Sequence, residues 1–108
     1  MPNEALAGRC GLSLATINTL QGVFAKHSEV EQALLYGSRA KGNFRKGSDI
    51  DLTLIGEKLD YRHLTRIEND IDDLLLPYTV DLSLFKQIDN PDLLDHVRRV
   101  GLIFYPAP

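Results

Sequence analysis

Cysteine is nearly absent from this 108-residue sequence, since Cys10 is the only one. A single cysteine excludes an internal disulfide and any metal site built on clustered cysteines, so we expect a reducing, cytoplasmic setting. No apolar run approaches the roughly 20 residues that cross a bilayer, and the first residues lack the basic start and apolar core of a signal peptide. We therefore expect neither export nor membrane insertion.

An excess of basic residues is also lacking, because the formal net charge is -3. General nucleic-acid binders usually carry a basic face, so direct nucleic-acid binding is not expected. The stretch between Gly37 and Gly47 holds four cations and no acid, which leaves 8 basic against 15 acidic residues, a net charge of -7, in the rest of the chain. A compact cationic loop beside acidic residues suits a metal-bound polyphosphate better than a duplex.

The chain length leaves little room for a second, substrate-holding domain. Domains usually run to about 100–150 residues, so a single domain over residues 1–108 is expected. Hydrophobic residues make up 44% of the chain and charged residues 25%, which is typical of a globular protein with its own apolar core.

Apolar residues recur along the chain with periods that predict helices and strands in turn. Helices are predicted from a Ser13 cap to about Lys26, over 61–76 as far as Pro77, and from Pro91 to just before Gly101, with Asn90 as cap. Strands are predicted over 33–36, 49–55, 80–84 and 102–105. The predicted fold class is α/β (α+β), a small mixed β-sheet with helices packed mainly on one face and carboxylates exposed on the other.

The most informative stretch is Gly37-Ser38, which ends an apolar strand and is followed, after ten residues, by Asp49-Ile50-Asp51. Because side chains alternate along a strand, Asp49 and Asp51 point to the same face. Carboxylates spaced in this way can converge on two divalent metal ions, and Asp81 on the polar face of a similar strand is the candidate third ligand. We therefore predict Asp49, Asp51 and Asp81 as catalytic and metal-binding residues, with two Mg²⁺ ions as the cofactor.

A phosphate site is predicted just before these carboxylates. Gly37 lets the backbone approach a phosphate, the Ser38 hydroxyl can donate to its oxygens, and Arg39 and Lys41 can add positive charge. A nucleoside triphosphate is therefore the predicted substrate. Sugar-nucleotide glycosyltransferases also use Asp-x-Asp, but this chain is short for their usual fold and its Gly-Ser pair would be unexplained.

The three histidines and two aromatic residues are given structural roles. His27, His63 and His96 are interpreted as surface or helix-end residues, and Tyr36 as a packing residue. Phe44 is interpreted first as an anchor for its loop and second as a contact to the nucleoside.

At these residues the chain resembles the minimal nucleotidyltransferases of the DNA polymerase β superfamily. The resemblance rests on the segments 35–42, 48–52, 80–82 and 97–105, and it shows no departure at a catalytic position. It implies a polymerase-β-type fold, Mg²⁺ on the three aspartates and the triphosphate of ATP or another NTP on Gly37 and Ser38. It also implies a separate small helical partner protein, of the HEPN or substrate-binding type. Several members are antitoxins that transfer AMP from ATP to a tyrosine of a HEPN toxin.

Three functions remain open from the sequence. The first is transfer of a nucleoside monophosphate, AMP from ATP by the resemblance, to a hydroxyl of a partner protein. The second is a catalytic subunit that nucleotidylates a small molecule held by a separate subunit. The third is a non-catalytic module that covers the active site of a toxin.

Overall fold

The described part of the protein, residues 3–106 of a computed structural model, is built on four strands. They are β1 (Gln32–Tyr36), β2 (Ile50–Ile55), β3 (Val80–Leu84) and β4 (Leu102–Tyr105). Their order in the sheet is β3-β2-β1-β4. β1 pairs antiparallel with both β2 and β4, whereas β2 and β3 run parallel. This confirms the mixed sheet and all four predicted strands.

Two α-helices precede the first strand, and three lie in the connections between strands. They are α1 (Asn3–Cys10), α2 (Leu14–Lys26), α3 (Gly37–Lys41), α4 (Tyr61–Asp72) and α5 (Pro91–Val100). The side chain of Ser13 accepts from the backbone N–H of Thr16 at the start of α2, as predicted. At the start of α5, the side chain of Asn90 accepts from the backbone N–H groups of Asp92 and Leu93, also as predicted. The sequence analysis did not predict α1 or α3. Both are short, with 8 and 5 residues, so each contains too few apolar residues for a helical period to stand out.

The hydrophobic core lies on one face of the sheet. The face carries the apolar residues of each strand, and helices α1, α2 and α4 contribute the side chains that cover it: Leu6, Ile17, Leu20, Phe24, Leu64, Ile67 and Ile71. Ile50, Leu52 and Leu54 of the central strand β2 are at most 1% exposed. The alternation of apolar residues therefore predicted the buried face correctly.

Helix α4 ends earlier than predicted. The apolar period suggested continuation to Leu76, but the helix stops at Asp72, and Leu75 adopts a left-handed conformation with φ of 53° and is 88% exposed. Pro77 disfavours helical geometry in the residue before it, so the chain begins to turn one helical turn earlier. Tyr61, the first residue of α4, is 62% exposed.

The second face of the sheet carries the predicted polar residues and is partly covered by α5. His96 of that helix packs edge-on against Tyr36 at the end of β1, with ring centroids 6.1 Å apart. Helices therefore lie mainly, but not wholly, on the core face. Within residues 3–106, no helix combines the length and apolar character that crossing a membrane requires.

Candidate functional site

The strand register brings the predicted carboxylates to one place on the second face. Asp51 of β2 is the register partner of Asp81 on the parallel strand β3 and of Tyr36 on the antiparallel strand β1. Neighbouring strands lie about 4.8 Å apart, so Asp51 and Asp81 extend side by side from the same face. Asp49 precedes β2 by one residue and is exposed. The structure thus brings together residues that are 30 positions apart in the sequence.

Gly37 lies directly against the carboxylate of Asp51. Its φ of 74° is in the left-handed region, which L side chains rarely adopt. A Cβ atom placed on Gly37 would overlap the Asp51 Oδ2 atom and lie 3.3 Å from its Cγ. Glycine at this position is required both by the backbone turn and by the close approach of the carboxylate.

The environment of Asp51 disfavours its negative charge. Burial is the largest cause that raises the pKa of Asp51, and the negative charges of Asp81 and Asp49 raise this pKa further. A half-buried carboxylate that lies near two further carboxylates is a site that a cation would stabilise.

The carboxylates are not assembled into a finished metal site. Among residues 3–106, no three His, Cys, Asp or Glu side chains are close enough together to hold a metal ion in their present orientations. Asp49 and Asp81 are both exposed, so their side chains are free to turn toward the half-buried Asp51. The available donors are carboxylate and hydroxyl oxygens, which fit Mg²⁺. The chemistry of the donor set therefore agrees with the predicted cofactor.

A polar network lies on the same face beside the carboxylates. Ser83 Oγ donates to Thr53 Oγ1 over 2.9 Å, and Thr53 is fully buried. The second face of the sheet is therefore covered at the point where this polar pair lies. Burial is the largest cause that raises the pKa of Tyr36, and the negative charges of Asp81 and Asp51 raise this pKa further. The hydrogen bond links β2 and β3 on the face that carries Asp51 and Asp81.

His96 is a site residue that sequence reasoning missed. Its Nε2 atom accepts a hydrogen bond from the backbone N–H of Gly37 over 3.0 Å. Fifty-nine positions separate the two residues, and the histidine lies on an amphipathic helix far from Gly37 in the sequence. No local sequence signal distinguishes it from a surface histidine.

The other residues predicted to bind phosphate lie in different environments. Lys41 is exposed at the end of α3, and Ser38 is half-buried at its start. Arg39 is only 2% exposed, and its guanidinium donates to the carbonyl oxygens of Ser48 and Cys10 over 3.0 and 2.9 Å. We therefore leave Arg39 out of the proposed nucleotide site, because a buried guanidinium with these partners holds the loop to α1.

Aromatic residues complete the surroundings of Arg39. Its guanidinium carbon lies 5.3 Å from the ring centroid of Phe44 and 5.0 Å from that of Tyr78. Phe44 also packs against Gly11, where a Cβ atom would overlap its ring. These contacts agree with the interpretation of Phe44 as the anchor of its loop.

The fold and site define an α+β domain with clustered aspartates beside a glycine turn. The sequence model of the family "Polymerase beta, Nucleotidyltransferase" matches residues 18–107. The chain therefore belongs to the polymerase β nucleotidyltransferase family, which confirms the resemblance and the fold class. No curated protein sequence matches the chain significantly.

Solved structures with the same fold include two toxin–antitoxin complexes. One of them, a toxin–antitoxin with AMP-PNP, has 20% sequence identity to this chain and a TM-score of 0.67. The match covers 82% of this chain and 72% of the other chain. The other is a mutant of the toxin–antitoxin MntA-HpeT with two aspartate-to-glutamate replacements. It has 18% sequence identity and a TM-score of 0.65, and the match covers 82% of this chain and 71% of the other chain. A putative nucleotidyltransferase from Sulfolobus solfataricus is 15% identical with a TM-score of 0.51, over 93% and 82%.

Proposed function

We propose that this chain is a Mg²⁺-dependent nucleotidyltransferase that moves AMP from ATP to a hydroxyl of a partner protein in the cytoplasm. The partner would be a small helical HEPN-type toxin, and the chain its antitoxin. The observation that carries the proposal is the position of Asp51, which faces Asp81 across the parallel strand pair and lies against the backbone of Gly37. Clustered carboxylates beside a turn that can admit a phosphate suit a metal-bound triphosphate.

Each residue of the site has a role in this reaction. Ser38 and the backbone that follows Gly37 bind the triphosphate, and Lys41 adds positive charge at the exposed end of α3. Asp49, Asp51 and Asp81 would hold Mg²⁺, which would neutralise the charge of the triphosphate. Asp81 is exposed at the open side of the site and accepts the proton of the attacking hydroxyl. The acceptor oxygen bonds to the α-phosphorus, and pyrophosphate leaves.

The structural neighbours support the choice of nucleotide and partner. One of them was crystallised as a toxin–antitoxin with AMP-PNP, an analogue of ATP. The two replaced aspartates of the MntA-HpeT mutant are two positions apart, as Asp49 and Asp51 are here. The second face of the sheet leaves Asp49 and Asp81 exposed, so a separate protein can bring its hydroxyl to them.

A label-transfer assay tests the proposal. Purified protein is incubated with Mg²⁺ and ATP labelled at the α-phosphate, with and without lysate of the host that contains the partner. Asp51→Asn is the inactive variant, and Asp89→Asn, which changes an exposed aspartate in the loop before α5, is the matched control. We expect label on one protein with wild type and with Asp89→Asn, and none with Asp51→Asn.

The other outcomes separate the competing functions. Label on a metabolite, with the partner unmodified, would identify a catalytic subunit for a small molecule. Absence of transfer with each of the four NTPs and the partner present would contradict an enzymatic function. Neutralisation of a toxin by the folded double variant Asp49→Ala, Asp51→Ala would then identify a masking module.

A further inference from the structure

The turn that begins the proposed nucleotide site is attached to the last helix of the chain. The Gly37 N–H donates to Nε2 of His96 over 3.0 Å, and Gly37 has φ of 74°. Because Nε2 accepts this bond, the imidazole is in the form that carries its hydrogen on Nδ1. The ring is also held by Tyr36, which it meets at an interplanar angle of 81°. His96 therefore has a fixed position and a defined acceptor atom.

The same peptide sets the position of the catalytic carboxylate. The Asp51 side chain lies against the Cα atom of Gly37, so a rotation of this peptide would change the space that Asp51 occupies. Ser38 follows immediately, and its hydroxyl is the proposed phosphate donor. One hydrogen bond from α5 thus fixes the phosphate-binding and the metal-binding halves of the site relative to each other.

The bond also determines which groups remain for the triphosphate. The Gly37 N–H already has an acceptor in His96, so the phosphate oxygens are left to Ser38 and the groups after it. A backbone turn that is oriented before the ligand arrives binds it more tightly, because less conformational entropy is lost on binding. The imidazole supplies this orientation from 59 positions away in the sequence.

We propose that His96 is a positioning residue of the nucleotide site, which holds the Gly37 peptide in the orientation that Ser38 and Asp51 require. The expected effect on nucleotide binding rests on the proposed function. The hydrogen bond between Gly37 and His96 can be tested without a nucleotide. Two variants are compared. His96→Ala removes the acceptor, whereas His96→Gln keeps an acceptor oxygen at a similar reach.

The first measurement is hydrogen exchange of the Gly37 amide by NMR, which needs neither nucleotide nor partner. We expect exchange at least about tenfold faster in His96→Ala and within about threefold of wild type in His96→Gln. His27→Ala is the matched control, since His27 contacts Asp70 over 2.7 Å at the far end of α2. Equal exchange in wild type and His96→Ala would overturn the proposal.

The second measurement is the dissociation constant of ATP with Mg²⁺ by calorimetry, with folding checked by thermal melting. We expect about tenfold weaker binding for His96→Ala, the size of one lost hydrogen bond, and recovery in His96→Gln. Unchanged binding in a folded His96→Ala would overturn the positioning role. If wild type binds no NTP, the proposed function fails, while the exchange measurement still decides whether His96 orients the turn.

Discussion

Gly37→Ala adds one methyl group at the point where the glycine turn meets Asp51, whose carboxylate we propose to be catalytic. At φ of 74° an alanine is strained, which costs about 1–2 kcal/mol of folding stability. The new Cβ would also overlap the Asp51 carboxylate, which must move away. A displacement of about 1 Å in a catalytic group can reduce the rate about a hundredfold. We therefore expect a modest loss of stability and a severe loss of nucleotide transfer.

Gly42→Ala is the matched control for the backbone strain. Gly42 has φ of 89° at the other end of α3, and a Cβ atom there would meet nothing within 4 Å. Both variants should lower the melting temperature, by about 4–8 °C for each kcal/mol in a domain of this size. Only Gly37→Ala should lose transfer of α-labelled AMP. Equal activity of the two variants, or full activity of Gly37→Ala, would refute the role assigned to the contact with Asp51.

Two further predictions concern charge. Burial and the two neighbouring aspartates raise the pKa of Asp51 in the folded protein. Protonated Asp51 therefore contributes to the free energy of unfolding at low pH. This contribution is lost as the pH rises from the unfolded pKa of about 3.9 through the folded pKa. Asp51→Asn should lack this decrease. Its free energy of unfolding, measured in urea at pH 7 with EDTA, should equal or exceed that of wild type, and a less stable variant would contradict the predicted effect of the Asp51 charge. Arg39→Met leaves the carbonyls of Ser48 and Cys10 without their donor. It should lower the free energy of unfolding, measured in urea, by about 3–5 kcal/mol. The exposed control Lys41→Met should change this free energy by under about 0.5 kcal/mol. An Arg39→Met variant as stable as wild type would show that these hydrogen bonds contribute little.

The strands, the three long helices and the face that each strand buries followed from local patterns. Alternation of apolar residues identified β2 and β3, and the cap residues Ser13 and Asn90 began α2 and α5 where predicted. These signals are readable because helix and strand periods act over a few neighbouring residues. Leu75 shows where such patterns fail, because the apolar period continues there although the helix has already ended.

The sequence by itself also determined the catalytic chemistry that could be proposed, through Gly37, Ser38 and the spacing of Asp49 and Asp51. Only the tertiary structure decided which other residues meet them. The parallel pairing of β2 with β3 placed Asp81 beside Asp51. The packing of α5 brought His96 to the Gly37 amide, and burial gave Arg39 a structural role. Contacts of this kind depend on strand order and on packing between distant segments, and no pattern within a single segment records either.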